Sequence, residues 1–208
     1  MLVTFEGPEG AGKTTAIGLL EKKLMAHGFS VCVTREPGSG AIGGLIREAL
    51  LHGETLNPYA ELFLFLADRA QHVTEVLRPA LSQQKIVLCD RYIDSTVVYQ
   101  GHARGIDLEL LRKLNEVAIQ GLKPDLTILL DIEPERGLQR QQKKDRLDQE
   151  PLEFHQKVRN GFLSEANLEP SRWKIVDAGL PVDKVVEEVF QALLLLSTHE
   201  DNAFGTLE

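Results

Sequence analysis

Cysteine is scarce in this sequence, and long hydrophobic runs are missing. Two cysteines among 208 residues cannot form a disulfide framework, so we expect Cys32 and Cys89 to be thiols in buried strands. The apolar run at residues 192–196 is far shorter than the roughly 20 residues that a membrane span requires. The sequence also lacks the basic and apolar series of a signal peptide at its start. These absences predict a cytoplasmic protein with no membrane contact.

Positive charge is also in deficit. The sequence has 23 Lys and Arg residues against 31 Asp and Glu residues, a net charge of -8. Because polyanion binding depends on a net basic surface, we expect no nucleic-acid partner. This charge balance does not exclude nucleotides, which require only a local pocket. The length and the 43% hydrophobic content are typical of one globular domain with a substantial core.

Five short apolar runs alternate with helical patterns along the chain. Strands that alternate with helices form βαβ crossovers and a parallel sheet covered on both faces. The predicted strands are residues 2–5, 31–34, 86–89, 126–130 and 174–176. The last helix should close the core, because its apolar residues repeat at helical spacing: Val182, Val185, Val186, Val189, Phe190, Leu193 and Leu194. Since no repeat or linker divides the chain, residues 1–208 are predicted to form a single domain with a polar tail from about residue 198.

The stretch GPEGAGKTT, residues 7–15, lies between the first predicted strand and a helix. It satisfies the phosphate-loop pattern G-x-x-x-x-G-K-[ST] in the context that the pattern requires. We expect Lys13 to reach the β and γ phosphates, and the Thr14 hydroxyl to take a Mg²⁺ ligand position. The predicted fold class is therefore an α/β P-loop NTPase fold, with a five-stranded parallel sheet, helices on both faces and a short lid. The predicted ATP-binding residues are Gly7, Pro8, Glu9, Gly10, Ala11, Gly12, Lys13, Thr14 and Thr15.

A second site is indicated by LCDRY, residues 88–92. This segment places Asp90 and Arg91 at the carboxyl end of the third strand, the edge where open α/β sheets bind ligands. Asp90 can hold Mg²⁺, and Arg91 can clamp an acceptor phosphate with two parallel hydrogen bonds. On this dipeptide alone, a structural ion pair is the alternative interpretation.

Two further segments add candidate substrate contacts. TREPGSG, residues 34–40, follows the second strand, and its Arg35 offers another phosphate donor beside the turn at Glu36 and Pro37. Phe65 and Arg69 are four residues apart on one helix and therefore share a face. Phe65 offers a stacking plane and Arg69 offers hydrogen-bond donors, although core packing is the better interpretation for Phe65 taken alone.

Two other patterns concern mobility and assembly. The charged stretch at residues 136–151 is either a solvated helix end or, because it follows the fourth strand, a mobile lid. Five consecutive apolar residues at 62–66 make the helix over residues 61–73 apolar almost all round. Because such a helix is covered on more than one side, we expect a homodimer packed partly through it.

Taken together, these segments resemble the thymidylate kinase family, in its bacterial type with an arginine supplied by the lid. The resemblance covers residues 2–190. It rests on GPEGAGKTT, TREPG, the helix that carries Phe65 and Arg69, DRYIDSTVVYQG at residues 90–101, and PDLTILLDIEPERGLQR at residues 124–140. It implies the reaction of ATP with dTMP to give ADP and dTDP, with Mg²⁺, as a step in dTTP synthesis.

The resemblance also implies roles for individual residues. Thymine would stack on Phe65, and its polar edge would face Arg69, Thr96 and Gln100. Tyr99 would crowd a ribose 2' hydroxyl, and Glu9 would accept a hydrogen bond from the sugar 3' hydroxyl. The acceptor phosphate would be held by Arg91 and Arg35, with Ser95 nearby. The full set of implied substrate-binding residues is Glu9, Arg35, Glu36, Pro37, Phe65, Arg69, Arg91, Ser95, Thr96, Tyr99 and Gln100, and the implied metal set is Thr14, Asp90 and Glu36.

The lid departs from the family pattern. Many relatives place several arginines after the fourth strand and end them with Asp-Arg-x-Glu, whereas this chain reads QQKKDRLD. Relatives with arginine at the position of Gly10 supply the catalytic cation from the loop, which this chain cannot do. Arg146, and then Arg140, are therefore expected to supply that cation, while Lys143 or Lys144 would act only as point charges. The predicted catalytic residues are Lys13, Arg91, Arg146 and Arg140.

Two alternatives stay open on the sequence. One is a kinase of the same fold that acts on another nucleoside monophosphate or on a deoxynucleoside. The other is a P-loop GTPase switch, although the sequence has no Asn-Lys-x-Asp segment for guanine and a switch has no use for a second arginine-rich site.

Overall fold

The fold is built on a five-stranded parallel sheet. The computed structural model describes residues 1–141 and 146–201, with side chains as far as residue 196. The strands are β1 Leu2–Glu6, β2 Val31–Arg35, β3 Ile86–Asp90, β4 Leu126–Asp131 and β5 Trp173–Asp177. They lie in the order β2-β3-β1-β4-β5, and every neighbouring pair is parallel. This confirms the predicted sheet, and both ends of each strand lie within one residue of the predicted positions.

The strands differ in burial as their places in the sheet require. The central strands β1, β3 and β4 read as nearly continuous apolar runs and are buried almost throughout. The edge strand β2 is half-buried to exposed along its length. The expectation that both cysteines are buried is therefore wrong for Cys32, which lies on β2 and is only half-buried, and confirmed for Cys89 on β3.

Nine α-helices are described. Their bounds are α1 Lys13–Ala26, α2 Gly43–Leu51, α3 Pro58–His72, α4 Arg78–Ser82, α5 Ile93–Thr96, α6 Leu108–Ile119, α7 Pro134–Arg140, α8 Leu152–Leu168 and α9 Val182–Asp201. Two π-helical segments, Val73–Leu77 and Val97–Ala103, continue α3 and α5. Wide turns of this kind are frequent at functional sites, and the second segment carries Tyr99 and Gln100.

Helices α1 and α9 cover one face of the sheet. Val185, Val189 and Phe190 of α9 pack with Ile17 and Leu20 of α1 in one core cluster. The prediction that the last helix closes the core is confirmed for most of its apolar residues. It is wrong for Val182, which begins the helix and is 43% exposed. Helix α9 continues to Asp201, and residues 202–208 of the predicted tail lie outside the described residues.

Helix α3 is only partly covered by its own chain. Leu62 and Leu66 are buried, whereas Phe63 is 57% exposed and Leu64 and Phe65 are half-buried. Packing on α2 and α6 accounts for the buried side of the helix. In the part of the chain that the structure describes, no helix is both long enough and apolar enough to cross a lipid bilayer.

Candidate active site

One cleft of about 1250 Å³ opens at the carboxyl ends of the strands. Residues 9–12 of the loop after β1 line it together with the first turns of α1. The segments after β2 and β3 line the same cleft, as do Phe65 and Arg69 of α3. The cleft therefore brings together the predicted phosphate loop and most of the predicted second site.

Lys13 is the first residue of α1 and is buried beneath the loop. Its Nζ donates hydrogen bonds to the carbonyl oxygens of Gly7, at 2.9 Å, and Pro8, at 3.1 Å. Burial lowers the pKa of Lys13, and the positive charge of Arg91 lowers it further. The lysine is thus held at the centre of the loop, where the phosphate-loop pattern requires a cation.

Gly10 lies against helix α7, where the predicted lid begins. Its φ of 70° is in the left-handed region, and a Cβ there would lie 1.9 Å from the carbonyl oxygen of Gly137. The contact is reciprocal, because a Cβ on Gly137 would lie 2.2 Å from the carbonyl oxygen of Glu9. Glycine is therefore required at both positions by the close approach of two backbones. An arginine at position 10 would therefore clash with the backbone of α7 in this structure.

Thr14 and Asp90 form the pair that fits a metal ion. The Thr14 hydroxyl donates to Asp90 Oδ2 at 2.9 Å, which joins the start of α1 to the end of β3. Hydroxyl and carboxylate oxygens are the ligands that Mg²⁺ prefers. The third predicted ligand, Glu36, is not part of this pair, because its two carboxylate oxygens accept from Arg69 and His72. Among the described residues, no group of three or more His, Cys, Asp and Glu side chains is arranged to hold a metal.

Glu9 and Arg91 connect the phosphate loop with the segment after β3. Arg91 has a left-handed φ of 69°, and its guanidinium donates to Glu9 Oε1 at 2.7 Å and to Ser95 Oγ at 3.3 Å. The Tyr99 hydroxyl donates to the same Glu9 oxygen at 2.6 Å. Burial alone would raise the pKa of Glu9, but the charges of Arg91 and Lys13 outweigh it and hold that pKa at about 2. Glu9 is therefore ionised at physiological pH and neutralised by its neighbours.

Arg69 forms hydrogen bonds with four residues at the base of the cleft: Glu36, Thr96, Asn115 and Tyr92. Its Nε donates to Glu36 Oε2 at 2.8 Å, and its Nη1 donates to Thr96 Oγ1 at 2.8 Å and Asn115 Oδ1 at 2.6 Å. Its Nη2 donates to the carbonyl oxygen of Tyr92 at 2.9 Å. Arg69 is only 1% exposed. The sequence places Arg69 on the substrate, whereas in this structure most of its donors bind the protein itself.

The sequence analysis misses two polar residues of this hydrogen-bond network, His72 and Asn115. His72 bonds to Glu36 through Nδ1 and to Thr34 through Nε2. Its spacing of three residues from Arg69 on α3 was a usable signal, because residues at this spacing share a helix face. Asn115 lies on α6, 46 residues from Arg69 along the chain, and its Oδ1 accepts a hydrogen bond from Arg69. No local pattern could have indicated it.

The remaining predicted substrate residues also line the cleft. They are Arg35, Pro37, Ser95, Thr96 and Gln100. Arg35 is exposed at the end of β2, whereas Thr96 and Gln100 are buried. Phe65 is half-buried and packs against the cluster that contains Tyr99. Phe65 therefore packs in this cluster and also exposes part of its side chain to the cleft.

The two predicted lid arginines lie in different places. Arg140 ends α7, lines the cleft, and donates to the carbonyl oxygen of Ala178 at 3.0 Å. Arg146 donates to the carbonyl oxygen of Leu50 at 3.0 Å and forms an ion pair with Glu61. In this structure Arg140 lines the cleft, whereas Arg146 does not. The alternatives Lys143 and Lys144, and part of the predicted lid, lie outside the described residues.

Comparisons with known proteins identify the family. The family model for thymidylate kinase matches residues 5–189. The thymidylate kinase of Thermomicrobium roseum is 52% identical over 192 residues, which cover 90% of this chain and 91% of that protein. The thymidylate kinase of Synechococcus sp. (strain JA-3-3Ab) is 51% identical over 179 residues, covering 86% of this chain and 88% of that one.

A solved structure agrees with these relatives. The crystal structure of thymidylate kinase from Ehrlichia chaffeensis is 35% identical, covers 93% of this chain and 98% of its own, and matches with a TM-score of 0.77. The phosphate loop, the parallel sheet and the shared cleft are thus found in a chain that is similar to one group of kinases over most of its length. This chain belongs to the thymidylate kinase family and is a kinase with the P-loop NTPase fold.

Proposed function

We propose that this chain transfers the γ-phosphoryl group of ATP to dTMP and so forms dTDP for dTTP synthesis. The observation that supports this proposal best is that one cleft contains both predicted ATP-binding residues and predicted dTMP-binding residues. Lys13 and Thr14 line the cleft beside Phe65, Arg91 and Gln100. Membership of the thymidylate kinase family supports the choice of acceptor.

The donor side consists of the loop and the start of α1. The backbone N–H groups at the start of a helix favour anions, and the glycines let phosphates approach the backbone closely. The Lys13 ammonium group, which bonds the carbonyl oxygens of Gly7 and Pro8, is placed to turn its protons to the β and γ phosphates. We assign ATP binding to residues 7–15.

The acceptor side consists of α3 and the segment from Asp90 to Gln100. Phe65 would stack on thymine, and the Tyr99 ring would crowd a ribose 2' hydroxyl. Glu9 would accept from the sugar 3' hydroxyl, because its carboxylate is ionised and points to Arg91 rather than into the loop. Arg91 and Arg35 would hold the acceptor phosphate near Ser95, with Pro37 in the adjoining turn.

Mg²⁺ would be held by Thr14 and Asp90, whose oxygens already lie within 2.9 Å of each other. When bound, it neutralises charge on the transferring phosphates. The contacts of Glu36 with Arg69 and His72 suit a residue that shapes the turn, and its part in metal binding remains a prediction.

The reaction requires alignment and positive charge more than proton transfer. An oxygen of the dTMP phosphate attacks the γ phosphorus, the bond from that phosphorus to the β–γ bridging oxygen breaks, and ADP leaves. The attacking oxygen is already ionised, so no general base is required. Lys13, Arg91 and a lid arginine, Arg140 or Arg146, would offset the developing charge and hold the two phosphates in line.

We also propose a homodimer packed partly through α3. Phe63 is 57% exposed and Tyr59 is 51% exposed on this helix, and Val117 of the neighbouring α6 is 75% exposed. Burial of these side chains by a second copy would remove a large apolar surface from water. Sedimentation should give a dimer at micromolar concentration and a monomer for Phe63→Glu. A wild-type monomer at that concentration would contradict the dimer.

The proposed location is the cytoplasm, with ATP and dTMP as partners. A net charge of -8 makes a nucleic-acid partner a poor fit. The location can be checked by fractionating cells and assaying each fraction for dTMP-dependent ADP release.

Coupled ADP release with ATP and a panel of acceptors tests the function. The panel contains dTMP, dUMP, dCMP, dAMP, dGMP and thymidine. We expect strong release with dTMP and weak release with dUMP. Strong release with another monophosphate or with thymidine would support the alternative kinases, and GTP turnover without an acceptor would support the switch.

A further inference from the structure

Glu61 of α3 is a buried carboxylate that is bonded by three side chains from two other parts of the chain. It is 1% exposed. Its Oε1 accepts from Gln100 Nε2 at 3.0 Å and from Arg104 Nε at 2.9 Å. Its other oxygen forms an ion pair with Arg146, which lies within the predicted lid segment. Buried carboxylates require such partners. Unlike the two arginines, Gln100 is neutral, and its bond to Glu61 affects how the Gln100 amide is oriented toward the cleft.

An ionised carboxylate can only accept hydrogen bonds. Glu61 therefore fixes which end of the Gln100 amide faces it, since the amide nitrogen must point to Glu61. Gln100 lines the cleft, and none of the described residues donates a hydrogen bond to its Oε1. The carbonyl end of this amide is thus left as an acceptor for a ligand.

The neighbouring Thr96 has the complementary polarity. Arg69 Nη1 donates to Thr96 Oγ1 at 2.8 Å, so the hydroxyl proton of Thr96 is directed to a different acceptor. The pair therefore offers one donor and one acceptor to the cleft. Thymine presents a carbonyl acceptor at O4 beside a donor at N3–H, whereas cytosine presents an amino donor beside an acceptor at N3. The polarity of the Thr96 and Gln100 pair matches thymine and opposes cytosine.

We propose that Glu61 is a positioning residue that sets the specificity for thymine over cytosine by fixing the Gln100 amide. This inference rests on the proposed function. Arg104 and Arg146 hold the Glu61 carboxylate in place from two sides. Glu61 itself touches no substrate and acts only through Gln100.

The test compares kcat/KM for dTMP with kcat/KM for dCMP in Glu61→Asp and Glu61→Met. Glu61→Asp keeps the charge that the arginines need but withdraws the acceptor from Gln100, and Glu61→Met removes the acceptor. In both variants the Gln100 amide can turn over, so the dTMP to dCMP ratio should fall, by roughly tenfold or more in Glu61→Met. A merely structural role would lower both values together and leave the ratio unchanged.

One control variant disturbs the same network without removing a partner of Glu61. Glu150→Ala removes the other partner of Arg104, which lies at 3.0 Å. This variant should keep the wild-type ratio. If Glu61→Met does not fold, as judged by circular dichroism, the Glu61→Asp ratio decides.

The outcomes separate this inference from the proposed function. Folded Glu61 variants with an unchanged ratio would overturn the inference, as would an equal loss of discrimination in Glu150→Ala. Absence of dTMP-dependent turnover in the wild-type protein would instead overturn the proposed function. A fall in the ratio confined to the Glu61 variants supports the inference.

Discussion

Arg91 Nη2 donates to Glu9 Oε1 across 2.7 Å, and both side chains are largely buried. The pair joins the phosphate loop to the segment after β3. A carboxylate inside an anion-binding loop would otherwise repel phosphate, but here its charge is offset by Arg91 and Lys13. Glu9 is therefore placed on the acceptor side of the cleft, away from the donor phosphates.

Glu9→Ala should weaken dTMP binding more than ATP binding. Loss of a hydrogen bond to a charged group costs about 1.5–3 kcal/mol, or roughly a tenfold to hundredfold rise in the Kd for dTMP. Calorimetric titration of each nucleotide gives the two values. Thr14→Ala is the matched control in the same loop and should weaken MgATP more than dTMP. Equal losses for both nucleotides in Glu9→Ala would refute the acceptor role.

Arg91→Ala should nearly abolish turnover and leave the fold intact. Removing one preorganised electrostatic group costs on the order of 10²–10³ in kcat, and Arg91 also positions Glu9 and Ser95. Steady-state kinetics and circular dichroism measure the two effects. Arg112→Ala serves as a control, because Arg112 pairs with Glu165 and does not line the cleft. An Arg91→Ala enzyme that retains most of its kcat would remove Arg91 from the acceptor site.

Arg140→Ala should lower kcat more than Arg146→Ala. Arg140 lines the cleft, and its loss should cost on the order of 10²–10³ in kcat. Arg146 binds Glu61 and Leu50, so its loss should act mainly on the acceptor side, as a higher KM for dTMP. Single-turnover and steady-state rates of the two variants decide the order. The reverse order would mean that the lid carries Arg146 to the phosphates.

The stability of the protein should depend on pH through Glu6 at the end of β1. Burial, followed by the charge of Asp94, raises the pKa of Glu6 from 4.5 to about 7. Since a raised carboxyl pKa favours the protonated folded state, this contribution is full below pH 4.5 and is lost as the pH rises through 7.

Glu6→Gln removes that dependence. Relative to Glu6→Gln, the free energy of unfolding of the wild-type protein should fall by up to about 3 kcal/mol between pH 4.5 and pH 8. Urea unfolding of both proteins at several pH values measures this difference. A difference that stays constant over the range would show that folding does not change the pKa of Glu6.

The fold was predictable from the sequence because its signals are local. Each strand is a short apolar run, and the phosphate loop lies between a strand and a helix. The order of strands in a sheet depends on contacts between distant segments, so the position of β2 at the edge was not predictable. That position is why the expected burial of Cys32 is wrong.

The site was predictable as a set of residues and not as a set of contacts. The phosphate-loop pattern and the segment LCDRY indicate Glu9 and Arg91, and the family resemblance adds Tyr99. All three line one cleft in the structure. The partners of Arg69 and Arg146 come from distant parts of the chain, such as Asn115 of α6 and Glu61 of α3. Whether an arginine faces substrate or protein depends on such partners, and no spacing rule gives them.

The most direct test follows the γ-phosphoryl group itself. The protein is incubated with Mg²⁺, dTMP and ATP labelled with ³²P at the γ position, and the products are separated by chromatography. The account predicts that the label moves from ATP into dTDP, in proportion to the ADP formed. Label recovered only as inorganic phosphate, with no labelled dTDP, would contradict the account and show hydrolysis in place of transfer.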